Sequence, residues 1–289
     1  MKLINMNEIQ TEKVKWLWYP YIPYGKITLI QGDPGDGKTT FVLAVAALLT
    51  NGKTMPESDD TPQPEPITVI YQTAEDGLAD TIKPRLEEAG TDCSKVIVID
   101  ESEQALTLSD ERIEQAILKT GAKLLILDPL QAYLGVDVDM HRANEIRPIF
   151  KALAGVAERT GCAIVIIGHM NKMSGTKGLY RGLGSIDIAA AVRSILLVGR
   201  DKESESTRIM AHLKSSLAPE GCSIAFELDR DNGFHWIGCY DISVDDLLNG
   251  TRSECEQTKE MQAISLIPKS YETVMFLATK YISDWLITK

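Results

Sequence analysis

The run Gly32-Asp33-Pro34-Gly35-Asp36-Gly37-Lys38-Thr39, between the apolar stretch Ile27 to Gln31 and the helix-like stretch Thr40 to Thr50, constrains this chain more than any other segment. Its spacing, G-x-x-x-x-G-K-[ST], is that of a phosphate-binding loop. Glycines let the backbone curl with positive φ, so that successive N–H groups face phosphate oxygens. Lys38 then reaches the β and γ phosphates, and Thr39 offers its hydroxyl to Mg²⁺. The helix behind adds the positive end of its dipole. Gly32 through Thr40 are the expected nucleotide contacts, and the strand before and helix after supply the context that separates this motif from a glycine-rich turn.

Apolar runs of strand length recur with helical stretches between them: Ile27 to Gln31, Ile67 to Gln72, Lys95 to Ile99, Lys123 to Leu127 and Cys162 to Gly168. They are continuous rather than alternating, as in strands buried on both faces, and their alternation with helices predicts a doubly wound, mainly parallel sheet. The clearest helix spans Asn144 to Arg159, with Ile146, Ile149, Phe150, Leu153, Val156 and Ala157 on one face, Asn144 as cap and Gly161 as stop. Met55 to Pro66 is too rich in proline and charge for regular structure and reads as a surface loop. After Ser194, four β-like segments follow closely, Ile195 to Gly199, Thr207 to Leu213, Ser223 to Leu228 and Phe234 to Ile237, and Asp231-Asn232-Gly233 marks a hairpin. Antiparallel strands should therefore extend one edge. The expected organisation is one α/β domain over 1–250, followed by a linker and short C-terminal amphipathic helix over 251–289. In that helix Tyr271 to Leu286 presents an apolar face that must bury on its own domain or on a neighbouring subunit.

A strand-end acid and a water-positioning group are what such a loop needs for hydrolysis. Asp128 ends the apolar strand Lys123 to Leu127 at the edge where ligands of open α/β sheets collect, and would join Thr39 around Mg²⁺; stabilising the turn into Pro129 is the other role open to it. Glu75, after the strand Ile67 to Gln72, is placed to orient or deprotonate water. Asp76 suits a cap for the helix beginning near Gly77, and capping or solvent exposure is open to both acids. His169 ends another buried strand and can contact the γ-phosphate, unless it is a satisfied structural histidine.

The chain has 289 residues and a net charge of −11, so any nucleic-acid contact must be local. No run reaches the roughly 18 apolar residues of a membrane span, and Met1 to Lys15 has no apolar signal region, which reads as cytoplasmic. The five cysteines form no C-x-x-C pair and read as reduced packing residues.

The landmarks GDPGDGKTT, YQTAEDG, LLILDPLQAYLG, VIIGHMNK, LYRGLGSIDIAAAVRSILLV and HLKSSLAPEG, in this order over Trp16 to Gly238, resemble the RecA-like ATPases, and within them the hexameric plasmid replicative helicases called RepA. The resemblance implies a RecA-like P-loop fold, ATP and Mg²⁺ as ligands, Glu75 as catalytic glutamate, Asp128 as second metal-side acid and His169 as sensor. It also implies an ATP site between subunits, to which a neighbour brings positive charge. Lys214 matches the lysine of a K-x-R pair in relatives, but Ser216 stands where the arginine is expected; Lys214 acts alone, or Arg208 takes the role, or catalysis in trans is weak. The basic loop Asn171 to Gly182, with Lys172, Lys177, Tyr180 and Arg181, corresponds to the channel loop that binds single-stranded DNA; a loop whose charges only solvate it is the alternative. Asn171-Lys172-Met173-Ser174 departs from the guanine-reading N-K-x-D, which favours ATP.

The reading that results is a ring-forming, Mg²⁺-dependent ATPase, a hexamer that moves single-stranded DNA in replication of a plasmid, phage or mobile element, with other replication proteins as candidate partners and with no membrane. An ATP-gated switch or scaffold is the alternative.

Overall fold

The computed structural model describes residues 3–58, 63–135, 138–140, 142–169, 186–229 and 233–249. The chain divides into two compact units, Met1–Thr251 and Arg252–Lys289, and the second, with the expected amphipathic helix, lies outside the described residues.

A nine-stranded sheet forms the first unit. Its parallel part comprises β3 (Ile27–Gly32), β4 (Val69–Thr73), β5 (Val96–Ile97), β6 (Leu124–Asp128), β7 (Ala163–His169) and β8 (Ser194–Arg200). The antiparallel extension comprises β9 (Thr207–Ser215), β10 (Ser223–Asp229) and β11 (Gly233–Tyr240). Across the sheet the order is β11-β10-β9-β8-β3-β7-β6-β4-β5. Both parts follow from the sequence pattern: uninterrupted apolar runs give the buried parallel strands, while the closely spaced β segments after Ser194 turn back on one another. Residues of one strand alternate between two cores. Leu124 and Ile126 of β6 face the core that holds α1 (Lys38–Thr50), and Leu125 and Leu127 face the core that holds α3 (Glu111–Thr120) and α4 (Ala143–Thr160).

The two helical layers differ in character. In α4, Ile146, Phe150, Leu153 and Ala157 are buried along one face, and Gly161 closes the helix at φ 67°. In α1, burial runs all round: Phe41 through Ala47, with Leu49 and Thr50, are inaccessible. A helix that is apolar on every side needs cover on every side. The cover comes from a hairpin of β1 (Trp16–Trp18) and β2 (Ile22–Pro23), which the sequence pattern did not announce, and from the β10–β11 ribbon. Trp18, Phe41, Phe226, Phe234 and Trp236 pack edge-on or tilted against one another there, with Phe226 and Phe234 stacked. Fully burying each such ring contributes on the order of 2–3 kcal/mol.

Several local expectations change. Asn144 lies inside α4 and does not cap it; the cap position is Arg142, and the Glu145 carboxylate accepts from the Asp139 N–H at 2.7 Å. Asp76 does not cap the turn Leu78–Ile82, whose cap is Gly77, because Arg85 claims its carboxylate at 2.9 Å. The expected strand Lys95 to Ile99 shortens to Val96–Ile97, and α1 begins at Lys38 rather than Thr40. The described ends of the 55–66 loop have no helix or strand, yet Met55 is buried and Pro56 O accepts from Trp18 Nε1 at 2.9 Å, so the loop is tied down where it leaves α1.

Candidate functional site

At the C-terminal edge of the sheet, β3 runs into the loop Gly32–Gly37. Gly32 has no room for a side chain: a Cβ there would stand 2.1 Å from Val198 O of β8. Gly35 and Gly37 adopt φ 81° and 86°, and Gly37 is the N-cap of α1. These two conformations need glycine and turn the backbone of the loop into a concave nest. Asp33, Pro34 and Gly35 form its exposed crest, whereas Asp36 is buried and its Oδ2 accepts from the Asp33 N–H at 2.9 Å.

Lys38 is buried, and its Nζ donates back to Gly32 O at 2.8 Å and Asp33 O at 2.9 Å. Burial pushes its ammonium below the ordinary lysine range, opposed by the charges of Asp36, Asp128, Asp33 and Glu75. Thr39 Oγ1 donates to Asp128 Oδ2 at 2.8 Å, and Tyr71 of β4 donates its hydroxyl to the same oxygen at 3.1 Å. Asp128 is 6% exposed; burial raises its carboxyl above the usual range, against these two hydrogen bonds. The Ala74 N–H reaches Asp128 O at 3.3 Å, which fastens the exposed Glu75 next to the end of β6. His169, opposite Gly32 in the β3–β7 register, has a buried Nδ1 with no hydrogen-bond partner among the described residues.

The strands thus bring Glu75, Asp128 and His169, which are distant in sequence, to the adjacent Lys38 and Thr39. Thr39 and Asp128 together are hard oxygen donors of the kind Mg²⁺ takes, and the nest accepts phosphate oxygens, so the residues present fit a metal–triphosphate ligand. Among the described residues no cluster of three or more His, Cys, Asp or Glu could hold a metal by itself. A site of this kind therefore relies on the phosphates to complete the metal's shell.

Other expected residues fall elsewhere. Lys214 Nζ donates to Ala189 O at 2.6 Å and Val192 O at 2.9 Å, at the end of the short helix Ile186–Ala191. Arg208 is buried, with its guanidinium on Glu205 O and Thr207 O, and the charges of Arg200 and of the chain's own Asp36 act on it. It is thus turned inward onto carbonyls of its own chain. Lys172, Lys177, Tyr180 and Arg181 lie outside the described residues.

Two features carried no signal in the sequence. A groove of about 800 Å³ begins at Thr40 and runs along α1 between Arg85 and Glu88 of α2 (Lys83–Glu88) and Phe234 and Trp236 of β11. Arg200, at the end of β8, touches the crest of the phosphate loop.

A profile of the family described as AAA domain matches residues 3–175. The DNA repair protein RadA of Halalkalibacterium halodurans is 28% identical over 156 residues, 53% of this chain and 30% of that protein. RadA of Streptococcus pneumoniae is 28% identical over 175 residues, 58% of this chain and 36% of that protein. The chain thus spans about a third of the length of the curated relatives it matches. Among solved structures, one described as an ATPase domain aligns with a TM-score of 0.55 at 17% identity, over 74% of this chain and 85% of that one. A KaiC-like protein from Pyrococcus horikoshii aligns with a TM-score of 0.51 at 18% identity, over 74% and 90%. These two likenesses concern the fold.

Proposed function

The chain belongs to the AAA domain family, with a RecA-like P-loop NTPase fold and ATP hydrolysis as the family's chemistry, and from that premise we propose that it is a ring-forming, DNA-stimulated ATPase that moves along single-stranded DNA. The observation that carries the nucleotide half of this reading is the convergence of Lys38, Thr39, Glu75 and Asp128 on one loop mouth at the sheet edge.

In this mechanism the nest amides bind the phosphates, and Lys38 leaves the Gly32 and Asp33 carbonyls for the stronger attraction of the β and γ oxygens. Thr39 and Asp128 would hold Mg²⁺, which when bound supplies charge neutralisation at the phosphates. Glu75 accepts a hydrogen bond from water and takes its proton as the water oxygen bonds to the γ phosphorus and the bridging oxygen departs with ADP. His169, whose Nδ1 has no partner among the described residues, meets the γ-phosphate and passes its loss to the segment after β7. A neighbour's Lys214 would reach this site only by releasing the Ala189 and Val192 carbonyls.

The DNA half rests on the basic loop with Lys172, Lys177, Tyr180 and Arg181, on the family likeness in the sequence, and on relatives named as DNA repair proteins. A hexameric ring would gather six such loops in one lumen, where an acidic subunit can still hold a polyanion. Replication of a plasmid, phage or mobile element is the setting this reading fits.

The test is ATP turnover with and without single-stranded DNA at low salt. Turnover should rise several-fold with DNA, and Lys177→Ala with Arg181→Ala should remove the rise while leaving the basal rate. Glu75→Gln should bind ATP and lower turnover by about a hundredfold or more. Turnover indifferent to DNA would discard the motor; full activity in Glu75→Gln would discard that residue as base.

A further inference from the structure

The phosphate loop carries two carboxylates, Asp33 and Asp36, where an anionic ligand must bind. Asp33 is on the exposed crest, but Asp36 is buried directly under it, with its side chain 11% exposed. A carboxylate so close to a triphosphate opposes binding unless a cation offsets it, and a loop of this type functions without an acid at that position, since the motif leaves it free.

Arg200 supplies that cation. β8 runs parallel to β3, with Leu197 opposite Gln31, so the end of β8 projects past the start of the loop. From there Arg200 Nε donates to Asp36 Oδ1 at 3.1 Å and its Nη2 donates to Gly35 O at 2.9 Å. One guanidinium thereby grips both the acid beneath the crest and the crest backbone. Asp36 completes the brace through Oδ2, which holds the Asp33 N–H. Arg208 stands directly across the β8–β9 ladder from Arg200. The contact is lopsided in exposure: the Arg200 side chain is 55% exposed, so its removal opens no cavity in the core.

We infer that Arg200 is a positioning residue for nucleotide binding, which offsets the Asp36 charge and fixes the crest of the phosphate loop so that the nest receives a polyanion. This inference rests on the nucleotide reading above. Arg200 acts through the loop, not on the reacting atoms, so its loss should fall on affinity rather than on the chemical step.

A double-substitution cycle on the full chain separates this from a merely structural ion pair. ADP and ATP binding with Mg²⁺ would be measured by calorimetry, alongside KM and kcat and a circular-dichroism check of folding. Arg200→Ala should weaken ADP binding about tenfold or more and raise KM to match, with kcat within about threefold. Asp36→Asn alone removes the charge and alters the crest brace together, so its own affinity sets the reference for the cycle. Adding Asp36→Asn to Arg200→Ala should recover severalfold of the lost affinity, because the charge that needed offsetting is gone while the crest contact to Gly35 O stays lost. Unchanged binding in Arg200→Ala would overturn the inference, and so would a double variant as weak as Arg200→Ala alone. An unaltered chain that binds neither ADP nor ATP would instead remove the nucleotide reading and this inference with it, an outcome visible before any variant is made.

Discussion

The two histidines near the sheet's two regimes have opposite surroundings. His212, in antiparallel β9, has both ring nitrogens engaged: Nδ1 accepts the Gly221 N–H at 3.1 Å, so the neutral ring carries its proton on Nε2 and gives it to Ser194 Oγ at 3.0 Å. Tyr21 stacks on the ring at 5.2 Å between centroids and sends its own hydroxyl to Cys222 O. His169, at the end of parallel β7, is half-buried, with no partner for Nδ1 among the described residues and the Asp128 carboxylate within electrostatic reach. A buried polar atom without a partner costs stability, so such atoms are few and tend to sit where a ligand completes them. Of these two rings, the one at the C-terminal edge of the parallel strands has hydrogen-bonding capacity unmet by the described residues, whereas His212 is fully engaged.

If that contrast is right, substitution should separate stability from turnover. His212→Ala leaves the Gly221 N–H and the Ser194 hydroxyl unpaired and opens space under Tyr21, so unfolding by urea should show a loss of about 2–4 kcal/mol, with kcat scarcely altered. Acid should act through the same ring. Burial lowers the His212 pKa to about 4, from 6.5, so protonation favours the unfolded chain; the stability is complete above pH 6.5 and is lost as pH falls toward 4. Between pH 7 and pH 5 this amounts to ~2 kcal/mol, read as a shift in urea midpoint. Asp36 and Asp128, whose carboxyls burial raises, work in the other direction, so His212→Gln should flatten or invert the acid dependence. The smallest effect belongs to His169→Ala: turnover with DNA should fall about tenfold, or ~1.4 kcal/mol, while stability stays within about 0.5 kcal/mol. A His169 variant that unfolds early, or a His212 variant that folds normally but is inactive, would break the comparison.

The legible part of the molecule was the part governed by local rules. Continuous apolar runs announced the parallel strands, and glycine spacing announced the loop, because both are demands of a single segment on its own backbone. Asp128 and Glu75 were readable as strand-end acids; that Tyr71 and Thr39 share one oxygen of Asp128 was not, since it depends on the side-by-side register of β4 and β6 and on the turn into α1. Arg200 escaped notice for the same reason. Nothing in Val198-Gly199-Arg200 differs from any strand that ends in a basic residue, and only its pairing beside β3 brings it to Asp36. Asn144 misled because a capping residue type was present, whereas Glu145 answered the Asp139 N–H from one position further on. Lys214 was read from likeness alone, and its two carbonyl acceptors belong to a helix and its exit that no pattern around Lys214 reveals.

Burial of most of α1 has a kinetic corollary. Its amides, hydrogen-bonded within a helix whose side chains are mostly buried, should exchange with solvent hydrogen more slowly than those of the exposed loops. α1 is thus expected among the slow-exchanging elements of the described residues, a fixed datum rather than an element that orders on ligand arrival. Extra protection on adding nucleotide belongs to the crest, Asp33 to Gly35, where the backbone is exposed.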